Sequence, residues 1–269
     1  MTHRPTDLPD FGTPPLKEVA MGVQFETPEG YQQIRAYEVW GLYRDQFPIV
    51  EERQAIPPTF ETFGLPQRGP RVEFGVVSGA LHDRFLFLSQ EKDQLIQFQS
   101  DRLLHNWRKD ANRGNEYPRF EILVGKFEAE FALLDQYMKT LSGKNLSVNQ
   151  CEITYTNHII LGESQIYPSK WFRILGDDKF NIENISLAFT KLICGPDGSP
   201  MGRLICEVNS ALDGSGTPLL VAQLSARGAP RSTSIADALD FICIGRNLIV
   251  KMFAEITSEA AHTVWERTQ

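Results

Sequence analysis

Residues 120–141, FEILVGKFEAEFALLDQYMKTL, decide how the rest of the chain is read. Phe120, Val124, Phe127, Phe131, Leu134, Met138 and Leu141 recur at intervals of four and three, which stacks them on one face of an α-helix. The spacing predicts an amphipathic helix of about six turns, and Gly143 supplies the residue that ends it. A stripe of that length has to be buried against something. The segments before it offer a sheet, with short strands near 71–78, 84–89, 93–99 and 102–108 and an earlier one over Leu16–Phe25, where Val19, Met21, Val23 and Phe25 alternate.

Working outward, the second half repeats that order of elements. A long strand is predicted near 146–161 and further strands near 184–195, 202–211 and 218–227. The turns between them, Gly195-Pro196-Asp197-Gly198 and Asp213-Gly214-Ser215-Gly216, have hairpin chemistry. A final helix starts at a cap on Ser232 or Ser234, with Ile235, Leu239, Ile242, position 246, Ile249, Phe253 and Ile256 as its stripe. Strands followed by a long helix, twice over, predict an α+β fold: antiparallel sheets with long amphipathic helices packed on them. The expected organisation is an extended proline-rich arm at 1–15, an N-terminal half at 16–145 and a C-terminal half at 146–269, the two halves sharing an order of elements but no residue-level identity. A helix over about 29–46, striped by Ala36, Trp40, Tyr43 and Phe47, and a long irregular connection at 48–70 complete the first half. That connection, with Pro48, Pro57, Pro58, Pro66 and Pro70, is expected to be either functional or a packed cover.

The chain has 269 residues, 42% hydrophobic and 23% charged, enough to bury a core without a metal or a disulfide. Lys plus Arg number 27 against 34 Asp plus Glu, a net charge of -7, which repels phosphate backbones and anionic membranes. Nucleic-acid binding is therefore unexpected, and no apolar run approaches the roughly 20 residues of a spanning helix. The start, MTHRPTDLPDF, lacks a secretory profile. Cys151, Cys194, Cys206 and Cys243 form no C-x-x-C pair and sit in apolar contexts, so no disulfides, buried reduced thiols and a cytoplasmic location are expected.

Three groups of residues break the pattern. Arg246 falls on the apolar stripe of the last helix, where a buried guanidinium needs an ionic partner or a ligand, unless it snorkels to water from the stripe's edge. Gln97, Gln99, Arg102, Asn106 and Arg108, interleaved with Trp107, Lys109, Tyr117 and Arg119, mix basic, amide and aromatic groups that could hold an anion or a base; a solvated hydrogen-bonded strand is the plainer reading. In Cys151–His158, alternation puts Glu152, Thr154, Thr156 and His158 on one face, with Glu152 and His158 roughly 20 Å apart, too far for an acid–base pair. Gly176-Asp177-Asp178 reads as a turn rather than a metal carboxylate pair. No H-E-x-x-H, G-x-S-x-G, Walker or G-x-G-x-x-G motif occurs and the five histidines are dispersed, so no metal and no cofactor are expected.

Several of these segments together resemble a sporadically distributed prokaryotic family of unknown function. The resemblance rests on Pro14-Pro15-Leu16-Lys17-Glu18-Val19 leading to Gly22-Val23-Gln24-Phe25, on Gln97, Gln99, Asn106, Trp107, Arg108, Tyr117 and Pro118, on the strand Cys151–His158, and on the ending from Ala238-Leu239-Asp240 through Phe253 to His262 and Trp265. It spans nearly the whole chain. In that family the position of Arg246 is commonly His, so this chain departs there. The resemblance implies a fold and a cellular class but no activity.

Two functions are therefore expected, from different classes. The first is a non-enzymatic binding or adaptor subunit for another protein or a second copy of itself, in a toxin–antitoxin or defence setting, using the arm or the proline-rich connection. The alternative is a small-anion or ligand-binding protein, or an enzyme, with a pocket between sheet and helices. There Arg246 would anchor the anion, and Gln97, Gln99, Arg102, Asn106, Arg108 and His158 would supply polar contacts.

Overall fold

The computed structural model describes residues 5–64, 83–110, 113–162, 167–176 and 182–269. The strand expected near 71–78 and the Asp177-Asp178 pair lie outside them. Nine strands are present among the described residues: β1 (Leu16–Phe25), β2 (Ile49–Arg53), β3 (Arg84–Leu88), β4 (Gln94–Gln99), β5 (Arg102–Arg108), β6 (Val148–Ile160), β7 (Ser186–Cys194), β8 (Pro200–Leu212) and β9 (Pro218–Gly228). They form a single sheet in the order β2-β3-β4-β5-β1-β6-β9-β8-β7, with every pair antiparallel.

This corrects the expected α+β fold of antiparallel sheets with long helices packed on them. The protein is mainly one continuous sheet, and helices form a minority layer on one side of it. The reason lies at the centre, where β1 and β6 pair along most of their length (Val19 with Tyr155, Met21 with Ile153, Val23 with Cys151) and fuse what would otherwise be two sheets. Local hairpin signals report pairing between neighbours in sequence. They carry no information on a pairing between segments this far apart.

The helices are α1 (Ala36–Gly41), α2 (Phe120–Ser142), α3 (Ile235–Ile256) and α4 (Glu259–Val264). The α2 stripe is buried as its spacing predicted, and the helix stops at Gly143, whose φ of 73° reverses the chain there. At the start of α3 the Ser234 hydroxyl accepts from the Asp237 backbone N–H at 3.2 Å. α2 lies over β5 and β1, and α3 over β6, β9 and β8. Gly245 lets α3 sit close, since a Cβ there would come within 2.7 Å of the Ala226 methyl.

The helix expected over 29–46 is cut to a single 3-10 turn (Gln33–Arg35) and the six residues of α1. Gly30, at a φ of 80°, delays its start, and the chain leaves it in turns after Gly41. Ala36, Tyr43 and Phe47 are still buried, so tertiary contact kept the stripe after the helix was lost. The connection expected to be irregular over 48–70 contains β2, an edge strand, directly after Pro48.

The arm is docked on its own chain. Gly12 N–H donates to Glu266 C=O at 3.0 Å and Thr13 N–H to Trp265 C=O at 3.1 Å. Phe11 packs edge-on to Phe253 and Trp265. The Gly12–Thr13 stretch of the arm is therefore engaged by the C-terminal segment. All four cysteines are free. Cys151 and Cys206 are buried, and burial pushes the Cys206 thiol up to about 12, but Cys194 is exposed, which corrects the expectation of uniformly buried thiols. Among the described residues no helix is long and apolar enough to cross a membrane.

Candidate functional site: the helix-free face of the sheet

Alternation along each strand divides the sheet's side chains between two faces. Val19, Met21 and Val23 of β1, with Leu103, His105 and Trp107 opposite them on β5, point toward the helices and are buried. Glu18, Ala20, Gly22 and Gln24 point the other way, opposite Arg108, Asn106, Leu104 and Arg102. Among the described residues this helix-free face is mainly polar, with Leu104, Ile205, Val221 and Leu192 scattered on it and a small cluster of Leu86, Leu88 and Leu95 with Ile49 near the β2 edge.

A hydrogen-bonded chain crosses four strands of this face. Arg84 Nη1 donates to Gln97 Oε1 at 2.9 Å, Gln97 Nε2 to Asn106 Oδ1 at 2.8 Å, and Asn106 Nδ2 to Glu18 Oε1 at 2.6 Å. Arg108 Nε donates to the same Glu18 oxygen at 3.0 Å. A second group starts at Arg102, which forks onto Asp101 at 3.0 and 3.2 Å; Asp101 also accepts from Gln99 Nε2 at 2.9 Å. Arg84 has its pKa lowered, mainly by burial and then by the nearby cations Arg102 and Arg53, so positive charge is crowded at this end of the face. Among the described residues its Nε has no hydrogen-bond partner.

Residues 54–64 run over this face as a strap. Gln99 accepts the Ile56 backbone N–H at 2.9 Å and donates to the Ile56 carbonyl at 3.0 Å. Gln24 treats Thr59 in the same way, at 3.1 and 2.8 Å. Glu61 then pairs with Arg203, both side chains 7% exposed, and Arg227 Nε lies 3.8 Å from Glu61 and 3.7 Å from Glu152. Arg203 also donates to the Thr62 carbonyl at 2.7 Å and stacks 5.0 Å from the Phe63 ring. The proline-rich connection is a cover over this stretch. Beside it, a hollow of about 20 Å³ is lined by Gln24, Arg102, Gln150, Glu152 and Arg227; Gln150 Oε1 and Arg227 Nε have no hydrogen-bond partner there.

The sequence candidates separate into three places. Gln97, Asn106 and Arg108 join the chain of hydrogen bonds, and Gln99 and Arg102 join the Asp101 group next to it. Trp107, interleaved with them in sequence, turns to the helix side and packs 5.2 Å from Tyr117, which breaks the basic–aromatic pattern. His158 stands apart on the same face near Lys17 and Glu18; burial is the main cause lowering its pKa, and Lys17 adds to it while Glu18 opposes.

Arg246 lies on the opposite side. It is buried, reaches Glu121 Oε1 at 2.8 Å and Asn247 Oδ1 at 3.1 Å, and sits 4.9 Å from the Phe120 ring. It does not snorkel, and its guanidinium is paired with Glu121. Beside it Tyr117 and Tyr155 share a 2.9 Å hydrogen bond, and burial raises the pKa of both hydroxyls. The cavity at this point holds about 70 Å³ and shares Phe11, Pro14, Leu16, Tyr117 and Arg119 with a neighbouring hollow of about 410 Å³ that also takes in Trp107 and Lys109.

Sequence reading missed Glu18, Gln24, Arg84, Arg203 and Arg227 on the free face. Glu18 and Gln24 were legible from the same alternation that marked Val19 and Val23 as buried. Glu61 was not, because nothing in a proline-rich stretch says which residue will meet an arginine. No family model matches the chain, and no curated protein matches its sequence.

Proposed function

We propose that this chain is a non-enzymatic binding subunit whose helix-free sheet face recognises another protein. The observation that carries the reading is the pair of glutamines, Gln24 and Gln99, each giving one donor and one acceptor to the backbone of a single residue in a crossing segment. That is the pairing a neighbouring strand would offer, supplied by side chains instead, and it grips an extended chain whatever its sequence. Arg102 and Arg108 are paired with Asp101 and Glu18, while Arg203 and Arg227 flank Glu61 of the crossing segment, so a segment with a carboxylate at that place meets two arginines.

The ligand-pocket alternative has less support at Arg246, whose guanidinium is paired with the Glu121 carboxylate. The binding reading is tested by placing a photo-cross-linking amino acid at Thr156 or Glu207 on the free face and at Glu128 on the outer side of α2, in the native host. A single host protein captured from Thr156 and Glu207, insensitive to nuclease and missing from Glu128, is the expected result. Capture from all three positions alike, or from none, would overturn it.

A further inference from the structure

The strap over residues 54–64 is held by the kind of contacts that hold a ligand. It forms no strand pairing, and its grip comes from side chains of the sheet beneath: Gln99 on Ile56, Gln24 on Thr59, Arg203 on Glu61 and Phe63. It also buries little apolar surface of its own, with Pro57 and Pro58 exposed and Phe60 54% exposed. A cover that belonged to the core would bury those side chains. A segment held mainly by polar contacts, with Ile56 and Phe63 half-buried, can be exchanged for another that makes the same contacts, at little cost to the core. Two consecutive prolines keep it extended before any contact forms, so it loses little freedom on docking.

Recognition changes character along its length. At Ile56 and Thr59 only the backbone is read; at Glu61 and Phe63 the chemistry is specific, a buried carboxylate between Arg203 and Arg227 and an aromatic ring two residues on, stacked against Arg203.

We propose that residues 56–63 occupy in cis a peptide-binding site of the helix-free face, and that the partner is an extended protein segment of the same chemistry, proline-led with a carboxylate and an aromatic two residues apart, which binds by displacing the strap. This rests on the reading of the chain as a binding subunit and names both the partner's chemistry and the device that keeps the face closed without it. The strap lowers the apparent affinity by the fraction of time it stays docked.

The test uses the full-length chain and a fluorescently labelled peptide of residues 56–63, Ile-Pro-Pro-Thr-Phe-Glu-Thr-Phe, with binding read by polarisation. The wild-type chain should bind it at least about tenfold more weakly than the double variant Glu61→Gln, Phe63→Ala, whose strap has lost its specific contacts. A peptide with Gln for the glutamate and Ala for the last phenylalanine should lose binding by about tenfold or more. In the wild-type chain, excess unmodified peptide should speed hydrogen exchange at the Ile56 and Thr59 amides, a readout that needs no variant to fold. Failure of the double variant to bind while those amides exchange freely, or equal binding of the altered peptide, overturns the proposal; so does an oligonucleotide that competes as well as the peptide. Unchanged exchange in wild type at saturating peptide overturns the displacement. None of these results touches the cross-linking outcome, so a partner captured on the free face with the strap still docked would leave the binding reading standing and remove this one.

Discussion

The face of the sheet beneath α2 and α3 and the face beneath the strap are made by the same strands, residue by alternate residue, yet they are closed in opposite ways. Under the helices, Val19, Met21, Ile153 and Phe127 are sealed by apolar contact, a term that scales with area and asks little of geometry. On the free face, Gln97, Gln99, Arg102 and Arg203 are also buried, but hold their places through directed hydrogen bonds and ion pairs. Burial is therefore no guide to which side carries stability. An apolar face resists exchange of its cover because the cover's own side chains are part of the core. A polar face can trade one well-matched cover for another, because the net gain of each hydrogen bond over water is small.

The sharpest way to break this contrast is to remove mass from each face. Phe127→Ala should cost about 3–5 kcal/mol in denaturant unfolding, because the ring is fully buried and the strands beneath it cannot collapse into the gap. Next comes the ion pair between Arg246 and Glu121 on the helix side. Arg246→Ala should cost about 3 kcal/mol with no ligand present, and Arg246→Leu combined with Glu121→Leu should recover most of that loss; a single change that left stability untouched would return Arg246 to the list of binding groups. On the free face, Gln24→Ala or Gln99→Ala should cost only about 1–2 kcal/mol, since each removes two backbone contacts of the strap, and should raise proteolysis within 54–64 far more than it lowers the unfolding midpoint. A global loss as large as that of Phe127→Ala would show that the strap is core after all.

The smallest expected effect is one of pH, at the junction of arm and C-terminus. His262 shares a 2.8 Å hydrogen bond with Thr257 Oγ1 and meets Arg267 at 3.0 Å, contacts that suit the neutral ring. Burial, then the Arg267 cation, lowers its pKa; Glu259 opposes and Arg173 adds. The unfolded chain therefore takes up this proton first as pH falls below about 6.5, so the stability tied to the neutral ring is complete above that value and lost on acidification toward the folded pKa. His158 titrates with the same sign. Melting temperatures should fall from pH 7 to pH 5, and His262→Gln should flatten part of that slope while leaving the part that belongs to His158.

Local periodicity was enough for α2 down to its stop at Gly143, for narrowing the cap of α3 to Ser232 or Ser234, and for the strands of the second half to within a few residues, because each depends on side chains within a turn or a hairpin of one another. The helix over 29–46 failed for a related reason: the stripe was read correctly, but Gly30 and Gly41 let the chain bury Tyr43 and Phe47 through turns. For the candidate site, sequence picked out Gln97, Gln99, Arg102, Asn106 and Arg108 as one group, and alternation in β4 and β5 does bring them together. It could not see that Glu18 and Asp101 would neutralise the arginines, nor that Trp107 would leave for the other face.

What this chain determined by itself is which side of each strand is apolar and where its two long helices run, since both follow from repeats of two and of three to four residues. Only the tertiary structure decided that β1 and β6 pair to make one sheet, that Arg246 meets Glu121 from another helix, and that a proline-rich connection lays Glu61 between Arg203 and Arg227. Each of those joins residues distant in sequence, whose meeting is set by how the whole sheet assembles and by no property of the residues in between.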